Sequence, residues 1–363
     1  MKKTIYLFLL SAFIMGLICN SSACIDGASN AMFLCARTII PSLFPFFVVS
    51  KMFTSLGLSQ SLGGRFQDIM RPLFGVPGCG SFALIIGIVS GYPVGAQTVL
   101  GFYNDGLCDK TEAQRMLGFC NNSGPLFIIG IVGTMMLSSF ATGVILYIAH
   151  ILSALTVAFM FKFYKRHSSS HSPERRCRSK TLTFTESFTV SILESVKTTL
   201  FVCGFIIFFA VLIEIIKFYR IIPMLEILLM RLGFEAEIAK GIIIGILEIT
   251  TGLESLTVSG ASLPIINMII TFSGIGVIMQ VSGIISNSGL SLKIFIAGKV
   301  IQGLLAGLYT FLLQYFVSAR PVFLQTNKIH LPSMASVFEN AVSIAFITIL
   351  LYVTCSMMKR KKN

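Results

Sequence analysis

One apolar segment is interrupted by a run of residues that relaxes the backbone and carries polar groups, Ser90-Gly91-Tyr92-Pro93-Val94-Gly95-Ala96. Proline removes a backbone donor, and the flanking glycines loosen the chain further. At membrane depth, unpaired backbone groups are tolerated only inside protein or beside a water-filled cavity. A helix restarting near Val94 would turn its positive N-terminal end toward that cavity, which suits an anionic group. The alternative is a proline kink in an ordinary span.

A second polar run, Asn121-Asn122-Ser123-Gly124-Pro125, directly precedes the apolar residues 126–129. Amides and a hydroxyl before a proline-started helix are typical of an N-terminal cap. If this helix starts at membrane depth, we expect the amides to face a ligand or the first interrupted segment. If it starts in a surface loop, the run is only a cap.

The second half of the chain has counterparts of both runs, at residues 248–255 and at Ser273-Gly274-Ile275-Gly276. Glu248 interrupts an apolar segment, where a carboxylate costs about 2.5–3.5 kcal/mol, so we expect it to face the protein interior or water. Lys299 and His150 occupy corresponding positions within long apolar segments, and intramembrane ionisable residues are site candidates. The alternatives are a structural Lys299–Glu248 ion pair and a His150 that is hydrogen-bonded within the helix bundle.

The sequence lacks the motifs of an enzyme. GxxxxGK[ST], GxSxG and HExxH are absent, and the nine cysteines have no zinc-binding or redox spacing. We therefore predict no catalytic residues, no metal site and no cofactor.

Composition indicates an integral membrane protein. Hydrophobic residues make up 55% of the 363 residues and charged residues 12%, and the mean hydropathy is +0.86. Ordinary globular domains carry about 25% charged residues. The net charge of +13 does not indicate a nucleic-acid partner, because the basic residues lie between and after apolar segments, where they set orientation. The predicted partner is the lipid bilayer, and a homo-oligomer is possible.

The apolar segments predict an all-α, multi-pass fold with about eight crossings and two re-entrant or broken hairpins, at 80–103 and 237–258. Lys2-Lys3, the basic stretch 165–185 and the tail 359–362 are predicted to be cytoplasmic, so that both termini face the cytoplasm. The first segment is interpreted as an uncleaved anchor, with a cleaved signal peptide as the alternative. The predicted crossings are 4–20, 30–57, 126–138, 141–164, 190–217, 274–289, 291–317 and 334–358.

The two halves of the chain resemble each other. Residues 85–89 (IIGIV) are echoed by residues 243–247 (IIGIL), and the order of long span, interrupted segment, short span and long span occurs twice. The predicted topology makes these repeats inverted, a recurrent transporter design. The predicted units are an anchor at 1–25, a first Gate-like repeat at 26–164, a basic cytoplasmic linker at 165–189, a second repeat at 190–317, and a C-terminal span with a basic tail at 318–363.

Three motifs in order, at 40–47 (IPSLFPFF), 90–96 (SGYPVGA) and 121–127 (NNSGPLF), resemble the sporulation integral membrane protein YlbJ family. Members of that family carry the nucleoside-recognition Gate domain, and the resemblance extends from about residue 5 to residue 355. It implies a role in endospore formation, moving dipicolinate across the outer forespore membrane. Gate domains also occur in concentrative nucleoside transporters and in the ferrous-iron permease B.

The resemblance and the polar runs together predict a transporter of a small organic anion. A planar dianion such as dipicolinate needs helix N-termini, amide and hydroxyl donors and a cation. The alternatives are a non-transporting scaffold of a sporulation assembly and a nucleoside-type transporter. The predicted substrate-binding residues are Ser90, Gly91, Tyr92, Pro93, Asn121, Asn122, Ser123, Glu248 and Lys299.

Overall fold

The computed structural model of the protein describes residues 2–164 and 182–318, and within these ranges all regular secondary structure is helical. The predicted all-α class is therefore confirmed. Three predicted segments lie wholly or largely outside the described residues. They are the crossing at 334–358, the C-terminal unit 318–363 apart from residue 318, and the basic linker 165–189 up to residue 181. The helices are α1 (Lys2–Cys19), α2 (Ser21–Leu34), π1 (Cys35–Ile39), α3 (Ile40–Ser55), α4 (Leu58–Phe74), α5 (Cys79–Ser90), α6 (Val94–Asn104), α7 (Lys110–Cys120), π2 (Leu126–Met136), α8 (Phe140–Phe161), α9 (Phe184–Phe218), α10 (Ile221–Met230), α11 (Ala236–Leu247), α12 (Ile249–Val258), α13 (Leu263–Phe272), α14 (Gly274–Ile285) and α15 (Leu292–Ser318).

Five helical stretches among the described residues are long and apolar enough to cross a membrane. A sixth arises if the bent pair Arg65–Phe74 and Cys79–Ser90, which meet at 82°, is counted as one span. The predicted crossings at 4–20 and 126–138 are shorter apolar helices, at Lys3–Cys19 and Leu126–Met136. The five long stretches are Ser21–Ser55, Phe140–Phe161, Phe184–Phe218, Leu263–Ile285 and Leu292–Gln314.

The predicted crossing at 274–289 is the second half of a longer, interrupted one. Helix α13 precedes it, and the two helices together form the 23-residue apolar stretch Leu263–Ile285. The interruption is at Ser273, whose backbone is left-handed with φ 74°. The sequence prediction missed the first half because the polar break was interpreted as the start of the crossing.

The same order of elements occurs in both halves of the described chain. Each half has a long helical span, a short helix, a pair of short helices around a break, a helix interrupted at a polar break, and a second long helix. In the first half these are α2 to α3, α4, α5 with α6, α7 with π2, and α8. In the second half they are α9, α10, α11 with α12, α13 with α14, and α15.

The short helices on either side of each first break are too short to cross a bilayer alone. Helix α5 has 12 residues and α6 has 11, or about 18 Å at about 1.5 Å per residue, against about 30 Å of hydrocarbon. Within each pair the two helices pack against each other, α5 against α6 and α11 against α12. Glycines permit this close approach, because a Cβ on Gly252 would lie 2.1 Å from the Cα of Gly245. Both pairs therefore form compact helical hairpins.

The first hairpin rests on the end of α7. A Cβ on Gly87 would lie 1.6 Å from the carbonyl oxygen of Cys120, and one on Gly95 would lie 2.0 Å from the same oxygen. The two halves meet in a similar way, since a Cβ on Gly298 of α15 would lie 2.4 Å from the carbonyl oxygen of Gly118 on α7. Small residues at such crossings allow the backbones to pack closely where lipid provides no hydrophobic driving force.

We expect Gly87→Ala to destabilise the protein, because the added methyl group meets backbone rather than a movable side chain. Overpacking of this kind costs about 1–3 kcal/mol, which should appear as a lower melting temperature of the purified protein in detergent. Gly101→Ala on α6 is the matched control, since nothing lies within 4 Å of its Cβ position. A Gly87→Ala protein as stable as the Gly101→Ala control would contradict the packing described here.

Candidate functional site

The four helix interruptions meet at one internal cavity, the central cavity, with a volume of about 50 Å³. The first break contributes Gly91 and Tyr92, and the loop after α7 contributes Gly124. The breaks in the second half contribute Glu248 and Ser273. The other residues lining the cavity are Ile39, Leu43, Phe127, Val202, Phe205, Ile206, Ile249, Thr250, Gly276, Val277 and Gln280. Most of the wall is apolar, with a few convergent polar groups, as in many small-molecule sites.

The first break requires glycine at position 91, where the chain contacts Gly124 of the loop after α7. Gly91 has φ 79°, and its Cβ position lies 3.0 Å from the backbone nitrogen of Gly124. The two breaks of the first half are thus in backbone contact beside the central cavity. Any side chain at position 91 would both strain the backbone and push the breaks apart.

The N-terminus of α6 is capped by the protein itself. The amide oxygen Oδ1 of Asn121 accepts a hydrogen bond from the backbone N–H of Ala96, at 3.3 Å. Residues 93–96 do not line the central cavity, whereas Val94 lines a second space, the vestibule described below. Pro93 instead serves as the residue at which α6 begins.

Glu248 caps the restarted helix of the second hairpin. Its two carboxylate oxygens accept the backbone N–H groups of Thr250 and Thr251, at 3.0 and 2.7 Å. The side chain is buried and lines the central cavity. It forms no salt bridge with any described residue, so the Lys299–Glu248 ion pair considered from the sequence is absent from the described ranges.

Lys299 lies away from the central cavity, in a chain of hydrogen bonds that ends at Asn122. Its Nζ donates to Gln302 Oε1 at 2.8 Å, and Gln302 Nε2 donates to Asn122 Oδ1 at 2.8 Å. Asn122 Nδ2 in turn donates to the carbonyl oxygen of Phe119 at 2.8 Å. The three side chains are fully buried. This network holds the loop after α7 to helix α15.

His150 anchors the same loop from helix α8. Its Nε2 accepts the backbone N–H of Ser123 at 3.2 Å, so its Nδ1 carries the proton and donates to Thr271 Oγ1 at 2.8 Å. Asn267, one helical turn before Thr271 on α13, donates to the carbonyl oxygen of Leu146 and to Thr310 Oγ1. The interpretation of His150 as a residue hydrogen-bonded within the bundle is therefore the one the structure supports.

Several of these polar residues were not identified from the sequence. Gln302 follows Lys299 by three positions, and Asn267 and Thr271 are four apart, so each pair shares one helix face. Two polar residues at that spacing within an apolar helix were the sequence signal from which these residues could have been identified. Gln280 gave no such signal. It is 3% exposed and lines the central cavity, and its Oε1 has no hydrogen-bond partner among the described residues.

A second space, the vestibule, lies between α3, α6 and α9, and its charged lining residues are Lys51, Lys197, Glu194 and Asp105. It comprises two adjoining cavities of about 250 and 460 Å³, which share Lys51, Gln97 and Gly101. Ser50 lines the vestibule, and its hydroxyl is in direct contact with the hydroxyl of Ser90, the neighbour of Gly91. The Ser50–Ser90 contact therefore links the lining of the vestibule to the first helix break, which borders the central cavity.

These features define a multi-pass helical membrane protein in which interrupted helices from two similar halves surround a cavity. No protein-family model matches the chain. The chain is similar to the sporulation integral membrane protein YlbJ of Bacillus subtilis (strain 168), with 28% identity over 327 residues, covering 82% of this chain and 79% of that protein. The match confirms the family resemblance predicted from the three motifs, and it extends over most of both chains.

The hydrogen-bonded chain from Lys299 to Asn122 predicts coupled effects on stability. Asn122→Ala and Gln302→Ala should each cost about 1–3 kcal/mol, because each leaves a buried polar group without its partner. The double variant should cost less than the sum, by about 0.5–3 kcal/mol. Melting temperatures in detergent measure this, with Asn104→Ala at an exposed position as the control. Strictly additive effects would show that Asn122 and Gln302 act independently.

Proposed function

We propose that this protein is a sporulation membrane protein that transports a small organic anion, with dipicolinate carried across the outer forespore membrane as the leading substrate. The convergence of four helix interruptions on the central cavity carries the transport part of the proposal. Interrupted helices at the interface of two repeats form the substrate sites of many secondary transporters. The family resemblance and the similarity to YlbJ support the link to sporulation.

The conformation described here corresponds to a closed state in this proposal. A central cavity of about 50 Å³ is far smaller than the several hundred Å³ of typical small-molecule sites. Substrate would reach it from the vestibule once the Ser50–Ser90 contact opens. The first hairpin carries Ser90, Gly91 and Tyr92, so displacement of α3 relative to this hairpin would open the contact and enlarge the cavity together.

The vestibule offers groups that suit a carboxylate. Lys51 supplies positive charge, and Gln97 supplies a side-chain amide. The hydroxyls of Ser50, Thr54 and Thr98 already donate to backbone carbonyl oxygens of their own helices. Beyond the Ser50–Ser90 contact, Tyr92 presents an aromatic ring that can stack on a planar heterocycle. Its hydroxyl lies near that of Ser123 and has no other partner among the described residues. Neighbouring Asn121 keeps Nδ2 without a partner in the described chain.

The direct test is uptake of labelled dipicolinate by vesicles containing the reconstituted full chain. We expect accumulation with the wild-type protein and a decrease of at least about tenfold with Tyr92→Ala, equivalent to about 1.4 kcal/mol of lost binding. Tyr6→Ala, at an exposed position on α1, should transport normally. If the wild-type protein accumulates no substrate, the transport proposal fails and the scaffold alternative takes its place.

Glu248 favours one alternative substrate class. A carboxylate lining the central cavity repels a dianion but can accept hydrogen bonds from the hydroxyls of a neutral, polar substrate such as a nucleoside. Competition in the same vesicles separates the two classes. Inhibition of uptake by dipicolinate analogues but not by nucleosides supports the anion, and the reverse pattern supports a nucleoside-type transporter.

The vestibule yields a second transport prediction. Lys51→Gln should raise the KM for dipicolinate about fivefold with little change in maximal rate, because a partly exposed charge contributes about 1 kcal/mol to attraction of the anion. The difference from wild type should shrink at high salt. Lys293→Gln, at an exposed position that lines neither cavity, is the control. An unchanged KM for Lys51→Gln would remove the vestibule from the route.

A further inference from the structure

The carboxylate of Glu248 is the unusual group of the central cavity. It is 4% exposed, and it forms no salt bridge within the described chain. Two backbone N–H groups occupy part of its hydrogen-bonding capacity, while a carboxylate offers about four lone-pair sites. About two sites therefore remain for a group inside the cavity. Ionisable side chains within membrane segments pair with one another or with backbone groups, and Glu248 has only backbone partners among the described residues.

Further oxygen atoms are available in the same cavity. Gln280 is 3% exposed and its Oε1 has no partner within the described residues. The hydroxyl groups of Thr250 and Ser273 belong to residues that line the same space. Ser273 donates its proton to the carbonyl oxygen of Thr271 at 3.2 Å, which leaves lone pairs free to coordinate an ion. Residues with side-chain oxygens from α12, from the break at Ser273 and from α14 thus line the same cavity as Glu248.

The donor set indicates the chemical class of the ligand. Oxygen ligands without sulfur or imidazole suit hard cations. The described chain contains no cluster of three or more His, Cys, Asp or Glu residues that could hold a metal ion, so the site has only one carboxylate. A single negative charge balances a monovalent cation, and a cavity of about 50 Å³ accommodates a small ion with little water.

We propose that Glu248 and Gln280, with Thr250 and Ser273, form a binding site for a monovalent metal cation of the sodium class. Occupation of this site neutralises Glu248 and so removes the repulsion that an anionic substrate would meet in the central cavity. This coupling role rests on the proposed function, whereas binding of the ion itself does not. It accounts for a buried carboxylate that has no cationic side-chain partner among the described residues.

The test measures ion binding to the purified full chain in detergent, without any organic substrate. Melting temperature is followed as sodium chloride replaces choline chloride at constant ionic strength, since an ion that binds only the folded state raises stability with its concentration. The wild-type melting temperature should rise and saturate. Glu248→Gln should abolish the rise, and Gln280→Met should shift it to about tenfold higher sodium concentration. Glu254→Gln, exposed on the same helix α12, should behave like wild type.

The outcomes that overturn the proposal are distinct from a failure of transport. A wild-type protein indifferent to sodium, or a Glu248→Gln protein that retains the full rise, excludes the site. A third outcome is that lower pH, but not sodium, raises the melting temperature of the wild-type protein and that Glu248→Gln removes this effect. The site would then bind a proton instead of a metal cation. Glu248 also caps α12, so Gln280→Met provides the independent test if Glu248→Gln does not fold. A wild-type sodium dependence in Gln280→Met overturns the assignment.

Discussion

A helix that stops inside a bilayer leaves backbone N–H and C=O groups that neither water nor lipid can satisfy, and the central part of this protein is organised around that constraint. Each interrupted helix must obtain a cap from the protein. Asn121 caps α6 from the neighbouring loop, and Glu248 caps α12 from within its own hairpin. Because the Asn121 cap comes from another element, the position of the loop after α7 determines whether the first hairpin can form. The buried hydrogen bonds of Asn122 and Ser123 fix that position.

The two halves solve the same structural problem with different chemistry. The first half uses a neutral amide, so its hairpin adds no net charge near the cavity. The second half uses a carboxylate, which satisfies two N–H groups and leaves a negative charge in the cavity wall. The charge of the central cavity is therefore set by the second hairpin, while the first hairpin supplies Tyr92 and the contact with Ser50. Similar folds of the two halves thus do not imply similar contacts with a substrate.

The positions of the interruptions could be predicted from the sequence, because proline, glycine and polar residues stand out in apolar segments. Residues 90–96, 121–125, 248 and 273 all mark breaks in the structure. The partners of the polar side chains could not be predicted, since those partners are far away in sequence. Gln302 bonds Asn122 across 180 positions and His150 bonds Thr271 across 121. Its charge and its place within a long apolar segment made Lys299 a candidate for the substrate site, whereas its position is explained by the network through Gln302. The length of the crossing at 263–285 was also missed, because a polar residue within a span resembles one at its start.

The central cavity has mainly hydrogen bonds on one side and mainly apolar contacts on the other. This difference affects how the cavity could open. On one side, hydrogen bonds tie the loop after α7 to α8, α13 and α15, and each buried bond broken costs about 1–3 kcal/mol. On the other side, α3 and α9 present apolar residues such as Leu43, Val202 and Phe205, whose contacts change gradually as surfaces slide. The Ser50–Ser90 contact is a polar link between the first hairpin and that apolar side. Displacement of α3 and α9 relative to the hydrogen-bonded core would therefore preserve most of these hydrogen bonds. It would open the cavity between α3 and the first hairpin, where Ser50 contacts Ser90.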